Sequence, residues 1–222
     1  MYNFDQIIDR RNTSCVKYDN LANVFGYTDI LPMWVADMDF RTAPCIIEAL
    51  SDRVRHGVFG YEKVPDAWYE ALQGWFARRH GWQIRREEVL CTTGVVPAVS
   101  AVIKAFTRPG DGVALMTPAY NCFFSSIRNN GCFAAETSLL MGDAGWTIDF
   151  AALEKTLADP RVKVLLFCSP HNPVGRVWTA DEIRRTAQIA HQAGVLFVCD
   201  EIHGEFVFGG NRYLPAAQVE GV

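Results

Sequence analysis

The 222 residues predict an α/β fold: a mainly parallel sheet with flanking helices, preceded by an N-terminal arm or small-domain segment. Two observations carry this reading. From about residue 88 onward, short β-rich runs recur at 89–92, 112–117, 132–137, 162–168 and 195–199, and helices fit between most of them. Half of the residues are apolar and about a fifth charged, enough for a substantial core and too apolar for disorder.

Residues 1 to about 60 are punctuated by Gly, Pro and Asn and are expected to be irregular, leaving 61–222 as the large sheet domain. After Pro65, residues Trp68, Leu72, Trp75 and Phe76 recur at helical spacing, with Asp66 placed to cap the start and Gly81 to end the helix. The first strand, 89–92, leads into Thr92-Thr93-Gly94 and an apolar helix starting near Pro97. Strand 112–117 is followed by Pro118-Ala-Tyr120, and strand 162–168 by Ser169-Pro-His-Asn172. Thr179-Ala-Asp-Glu182 is a capping box that opens a helix ending at Gly194. The last strand, 195–199, runs into Asp200-Glu-Ile-His203. Strands alternating with helices imply parallel pairing with both sheet faces covered.

A net charge of −4 with mixed signs leaves no basic stripe for nucleic acid. No apolar segment reaches the length of a membrane span, and the charged N-terminus does not resemble a signal peptide, so a cytoplasmic protein is expected. Seven cysteines without a C-x-x-C, with Cys91, Cys168 and Cys199 inside strand-like runs, read as reduced and mostly buried thiols. His191, Cys199 and His203 have no metal-ligand spacing.

In an open parallel sheet, ligands bind outside the carboxyl ends of the strands, so the loops after the strands are where chemistry belongs. Gly94, before an apolar helix, would offer free N–H groups and a positive helix end to a phosphate, although a turn glycine explains it equally well. Asp200, at the rim of an apolar strand, needs a cation or donor; a protonated pyridine nitrogen would serve, as would a helix cap or salt bridge. The amide of Asn172 is held outward by flanking prolines, or is only a turn residue. Tyr120 stacks on an aromatic ligand or belongs to the core. His203 reads as a hydrogen-bonded structural histidine before an acid–base group. Together these residues suit a planar, phosphorylated heteroaromatic cofactor.

Ser169-Pro-His-Asn-Pro-Val-Gly175 and Val198-Cys-Asp-Glu-Ile-His203 resemble the cofactor motifs of fold-type I pyridoxal-5'-phosphate (PLP) enzymes. Leu31-Pro-Met-Trp-Val-Ala-Asp-Met-Asp-Phe40 and Gly57-Val-Phe-Gly-Tyr61 are similar to the MalY/PatB-like carbon–sulfur lyases within that superfamily. The resemblance implies that Gly94 and Val95 hold the phosphate, Tyr120 stacks on the ring, Asn172 bonds the phenolic oxygen and Asp200 binds the pyridine nitrogen, with His203 beside them. It implies a homodimer in which Tyr61 reaches the phosphate of the partner subunit, with Trp34 and Val35 near an amino-acid substrate. The implied reaction is β-elimination from cystathionine or a cysteine conjugate to thiol, pyruvate and ammonia. Transamination on the same fold is the alternative, and a non-catalytic interaction or regulatory module is a third reading.

The family's imine-forming lysine follows the Asp motif on a later strand, and here no lysine follows Lys163. The arginine for the substrate carboxylate is missing as well. The chain is therefore expected to be the N-terminal part of such an enzyme, with the C-terminal part missing, and inactive alone. Lys17, Lys63, Lys104, Lys155 and Lys163 read as solvated surface charges. In the family's sheet, later strands insert between the first strand and the fifth, so unpaired edges are expected there.

Overall fold

A computed structural model of the chain describes residues 2–143 and 145–222. It divides into two compact units, one ending at Lys63 and one spanning Val64–Val222.

The first unit holds two short helices, α1 (Val16–Asp19) and α2 (Leu21–Phe25), and a longer one, α3 (Pro44–His56). The expectation of irregular chain through residue 60 is corrected by α3. Pro44 stands in its first turn, where a missing N–H costs nothing, and Gly57 closes it at φ 73°. Lys17 is a second correction: it is buried rather than solvated. Its Nζ donates to Asp39 Oδ2 at 2.7 Å and to the Asp37 carbonyl at 3.1 Å, and this satisfied charge is what makes its burial tolerable. The other four lysines are exposed, as expected.

The second unit begins with α4 (Asp66–His80). Gly81 ends it in a left-handed conformation, but Asp66 is not its cap: that carboxylate pairs with Arg86 instead. Four parallel strands, β1 (Gly112–Thr117), β2 (Phe133–Ser138), β5 (Val162–Cys168) and β6 (Leu196–Asp200), form one sheet in the order β2-β1-β5-β6. A small antiparallel hairpin, β3 (Leu140–Gly142) with β4 (Gly145–Thr147), was not signalled by the sequence. Helices α5 (Val95–Phe106), α6 (Asn121–Asn129), α7 (Phe150–Leu157) and α8 (Ala180–Gln192) complete the unit.

From Val113 in β1 and Val164 in β5 onward, alternation sorts the sheet's side chains. Val113, Leu115, Val164, Leu166 and Cys168 pack with Val99 and Ile103 of α5 and Phe123 and Ile127 of α6. Ala114, Met116, Leu165 and Phe167 pack on the other side with Leu153 of α7 and Ile183 of α8. Two buried faces explain why β1 and, beyond the exposed Lys163, β5 read as apolar runs. Each fully buried Leu or Phe contributes about 1.5–3 kcal/mol. The Thr179 capping box is present, with Glu182 N donating to Thr179 Oγ1 at 3.2 Å and Thr179 N donating to Glu182 Oε2 at 2.8 Å.

Residues 89–92 form no strand, contrary to expectation. A strand exists only through its ladder, and among the described residues none pairs with this segment; Leu90 is 91% exposed. For the same reason Cys91 is exposed, not buried. All seven cysteines are free, but only Cys132 and Cys168 are buried, so burial is less general than the sequence implied. Among the described residues no strand pairs with the outer edge of β6, and because 89–92 forms no strand the expected two-sided gap has only this side.

Candidate functional site

Three strand ends of the Val64–Val222 unit converge on one edge of the sheet. β1 ends at Thr117 and delivers Pro118 and Tyr120; β5 ends at Cys168 and delivers Asn172; β6 ends at Asp200 itself. The parallel register pairs Cys168 with Asp200, and Ser169 N donates to the Asp200 carbonyl at 2.9 Å, so the Asn172 loop leaves the sheet beside the Asp200 carboxylate.

Asp200 is half-buried. Its Oδ1 accepts from Ile202 N at 3.1 Å, and among the described residues no Lys, Arg or His forms an ion pair with it. It caps no helix either. The carboxylate therefore stands at the sheet edge with acceptor capacity to spare.

Asn172 lies on a tight turn in which His171 N donates to the Arg176 carbonyl at 2.7 Å and Gly175 N to the His171 carbonyl at 2.8 Å. Its own N–H points to Cys168 Sγ at 3.5 Å, and among the described residues its side-chain amide has no hydrogen-bond partner. Burial pushes the Cys168 thiol up to about 12, with the Asn172 N–H opposing and the charge of Asp200 adding to the rise. Tyr120, at the N-terminal end of α6 and 37% exposed, sets its ring edge-on to Phe123 at 6.0 Å. Its phenol is raised by neighbouring Cys122, then by burial and by the charge of Asp200, which places Tyr120 and Asp200 within electrostatic reach of each other.

Gly94 precedes α5 at φ 151°, a conformation that favours glycine, and no side chain caps this helix end. The helix starts at Val95, two residues before the expected Pro97. Val95 packs into the same core cluster as Ala119, Cys168 and Val198, so the helix start faces the strand ends. Free N–H groups at an uncapped helix start suit a phosphate. His203 is half-buried, and among the described residues its ring accepts or donates no hydrogen bond, so the expectation of a hydrogen-bonded structural histidine is not met.

The remaining candidates belong to the first unit. Trp34 is held by a hydrogen bond from its Nε1 to the Lys17 carbonyl at 3.1 Å and by Phe25, edge-on at 5.5 Å. Val35 is half-buried, and Tyr61 is fully exposed.

Sequence reasoning passed over His171, Cys168 and Glu201. His171 and Cys168 tie the strand-end loops together. Glu201 Oε1 accepts from Ala216 N at 2.7 Å and fixes the chain beyond Asp200. Gly204 lies against Tyr213 so closely that a Cβ there would sit 2.8 Å from the ring.

A family model described as aminotransferase class I and II matches residues 28–221. The chain is 41% identical over 217 residues to the cystathionine beta-lyase PatB of Bacillus subtilis, covering 98% of this chain and 56% of PatB. It is 40% identical over 220 residues to protein MalY of Escherichia coli, covering 99% and 56%. Among solved structures, cystalysin from Treponema denticola, which contains a pyridoxal 5'-phosphate cofactor, superposes with a TM-score of 0.92 at 36% identity, covering 99% of this chain and 56% of cystalysin. The chain thus spans about half the length of the curated relatives it matches. Among the described residues no helix is long and apolar enough to cross a membrane, and no cluster of His, Cys, Asp and Glu could hold a metal ion.

Proposed function

This chain belongs to the family of class I and II aminotransferases, and from that premise we propose that it is the cofactor-holding part of a cytoplasmic, PLP-dependent carbon–sulfur β-lyase. Its substrate would be cystathionine or a related cysteine conjugate. The observation that carries the reading is Asp200, a strand-end carboxylate with no cationic partner among the described residues, one strand away from the Asn172 amide, which has no hydrogen-bond partner among them either. The names of PatB and cystalysin's cofactor point the same way.

The donor set fits the cofactor's chemistry. The uncapped start of α5 at Gly94 and Val95 would take the phosphate; the family resemblance adds His203 to the same set. Tyr120 would cover one ring face and keep water off it. Asn172 would donate its amide to the phenolic oxygen without surrendering a proton. Asp200 would accept the hydrogen of the pyridine nitrogen and hold that proton in place, because a nearby negative charge favours the cationic ring.

When bound, PLP supplies an electron sink for negative charge at the substrate's α-carbon. Trp34, whose Nε1 donates to the Lys17 carbonyl, and Val35 are the residues that the family resemblance assigns to the substrate. The substrate would lose its α-proton, the Cα–H electrons would form a Cα–Cβ double bond as the Cβ–S bond breaks, and the thiolate would leave and take up a proton; water would hydrolyse the remaining enamine, through its imine, to pyruvate and ammonia. No lysine follows Lys163, and the proposal assigns the imine-forming lysine, together with the carboxylate-binding arginine of the family's C-terminal small domain, to length that the relatives have and this chain does not span. Tyr61, fully exposed, is assigned to the phosphate of a partner subunit in a homodimer.

The test titrates PLP into the protein as its source organism makes it, following visible absorption, and then supplies cystathionine. A cofactor spectrum with pyruvate and thiol as products is expected. A folded protein that leaves the PLP spectrum unchanged sinks the reading. The matched family model carries a second reading, transamination; a keto acid without thiol release would favour it.

A further inference from the structure

The His171 imidazole joins two of the strand-end loops. Its ring is 3% exposed, and Nε2 lies 2.9 Å from the Pro118 carbonyl, which belongs to the loop that carries Tyr120. A carbonyl only accepts, so Nε2 carries the hydrogen. Nδ1 is fully enclosed, and among the described residues it has no hydrogen-bond partner. The bond to Pro118 requires the hydrogen on Nε2, and burial pushes the ring's basicity down towards the neutral form, against the pull of the Pro118 and Cys168 carbonyls.

The base of the ring is held firmly. The His171 N–H and carbonyl are both bonded across the turn to Arg176 and Gly175, and the imidazole meets Trp178 edge-on at 5.6 Å. Trp178 Nε1 donates in turn to the Cys168 carbonyl at 2.9 Å, at the end of β5. The Cys168 thiol lies 3.2 Å from the Pro170 carbonyl and accepts from Asn172 N. Through this set, one hydrogen bond crosses from the Asn172 loop to the Tyr120 loop. An enclosed imidazole nitrogen without a partner is costly, and a Leu or Phe would fill the same space without that cost. What an apolar side chain cannot supply is the N–H to Pro118.

We propose that His171 is a positioning residue whose Nε2–H bond to Pro118 sets the separation between the Tyr120 ring and the Asn172 amide. The inference rests on the cofactor reading for its consequence, since those two groups would hold the ring face and the phenolic oxygen. Its geometry stands independently of any bound group.

The experiment compares the wild type with His171→Leu and His171→Gln, of which only Gln can still donate to Pro118. In the unliganded protein with ring-labelled tyrosine, the Tyr120 NMR signal should shift in His171→Leu and return towards the wild-type position in His171→Gln. With PLP, His171→Leu should bind about five- to tenfold more weakly, the size of one lost hydrogen bond, and lose visible circular dichroism, with His171→Gln recovering both. A folded His171→Leu with an unmoved Tyr120 signal, or a His171→Gln identical to a displaced His171→Leu, overturns the proposal. Should His171→Leu fail to fold, nitrogen-15 correlation spectra of the wild-type imidazole decide: a neutral Nε2–H form supports the strut, and an Nδ1–H or charged ring overturns it. If wild-type protein takes up no PLP, the lyase reading falls, while the tyrosine and imidazole signals still judge His171.

Discussion

Asp200 stands directly across the β5–β6 pair from Cys168, with Ser169 N bonded to the Asp200 carbonyl at 2.9 Å. The backbone of Asp200 is thereby fixed by the sheet, while its carboxylate accepts only the Ile202 N–H among the described residues. Folding and chemistry are carried by separate parts of the same residue, so they can be perturbed separately.

Asp200→Ala keeps the ladder and removes the charge. On the proposed lyase reading it should lower kcat of the protein as its source organism makes it by on the order of 10²–10³, the size of one lost electrostatic stabiliser, while leaving the unfolding temperature of the unliganded protein within a few degrees of wild type. Steady-state kinetics paired with thermal melts check this. An unchanged kcat would remove Asp200 from the site.

Cys168 should be chemically silent. Its thiol is pushed up to about 12 and buried, and only a thiolate attacks alkylating reagents. Treatment of the native protein with iodoacetamide at pH 8, followed by peptide mass mapping, should leave Cys168 and Cys132 unmodified, and unfolding should expose both. Native labelling of Cys168 would contradict the burial that holds the Asn172 turn.

Glu201 should make stability fall as pH rises. Burial raises its carboxyl above the ordinary 4.5, with the Ala216 N–H opposing. The folded state then holds the Glu201 proton more tightly than the unfolded chain does. The protonated form favours folding at low pH, and that advantage is lost as pH climbs from 4.5 through the raised folded value. Glu201→Gln keeps an oxygen for Ala216 N and removes the titration. Its melting temperature should draw ahead of wild type as pH increases from 4.5 and then hold a constant lead; parallel curves would refute the assignment.

Much of the sheet was legible in the sequence because parallel strands buried on both faces leave continuous apolar runs, and the boundaries of β1 and β5 match those runs. The Thr179 capping box was legible because its partners lie three residues apart. Val89-Leu-Cys-Thr92 has the same composition as a strand, but composition cannot say whether a ladder partner stands beside it. Helix α3 hid for another reason: Ile46, Leu50 and Val54 stay exposed, and a local Pro44 and Gly57 are weak signals without a buried face. Asp200, Asn172 and Tyr120 were found from their positions after strands. The bond from His171 to Pro118 spans 53 residues of sequence, so no local pattern could announce it.

The first unit should loosen in acid through Asp39. Lys17 first, then Arg10, hold the Asp39 carboxyl down at about 2, against an ordinary value of 3.8, and Tyr18 Oη adds a bond at 3.2 Å. A depressed carboxyl stabilises the fold above its unfolded value, so this contribution is complete above pH 3.8 and drains away as pH falls towards 2. Lys17 is the residue whose carbonyl holds the Trp34 indole, so protonating Asp39 should free that ring. The indole N–H of Trp34 should stay protected from hydrogen exchange at pH 5 and lose protection between pH 3.8 and 2, whereas in Asp39→Asn it should be weakly protected already at pH 5. Equal protection in both proteins at pH 5 would mean that the Lys17–Asp39 pair does not hold Trp34.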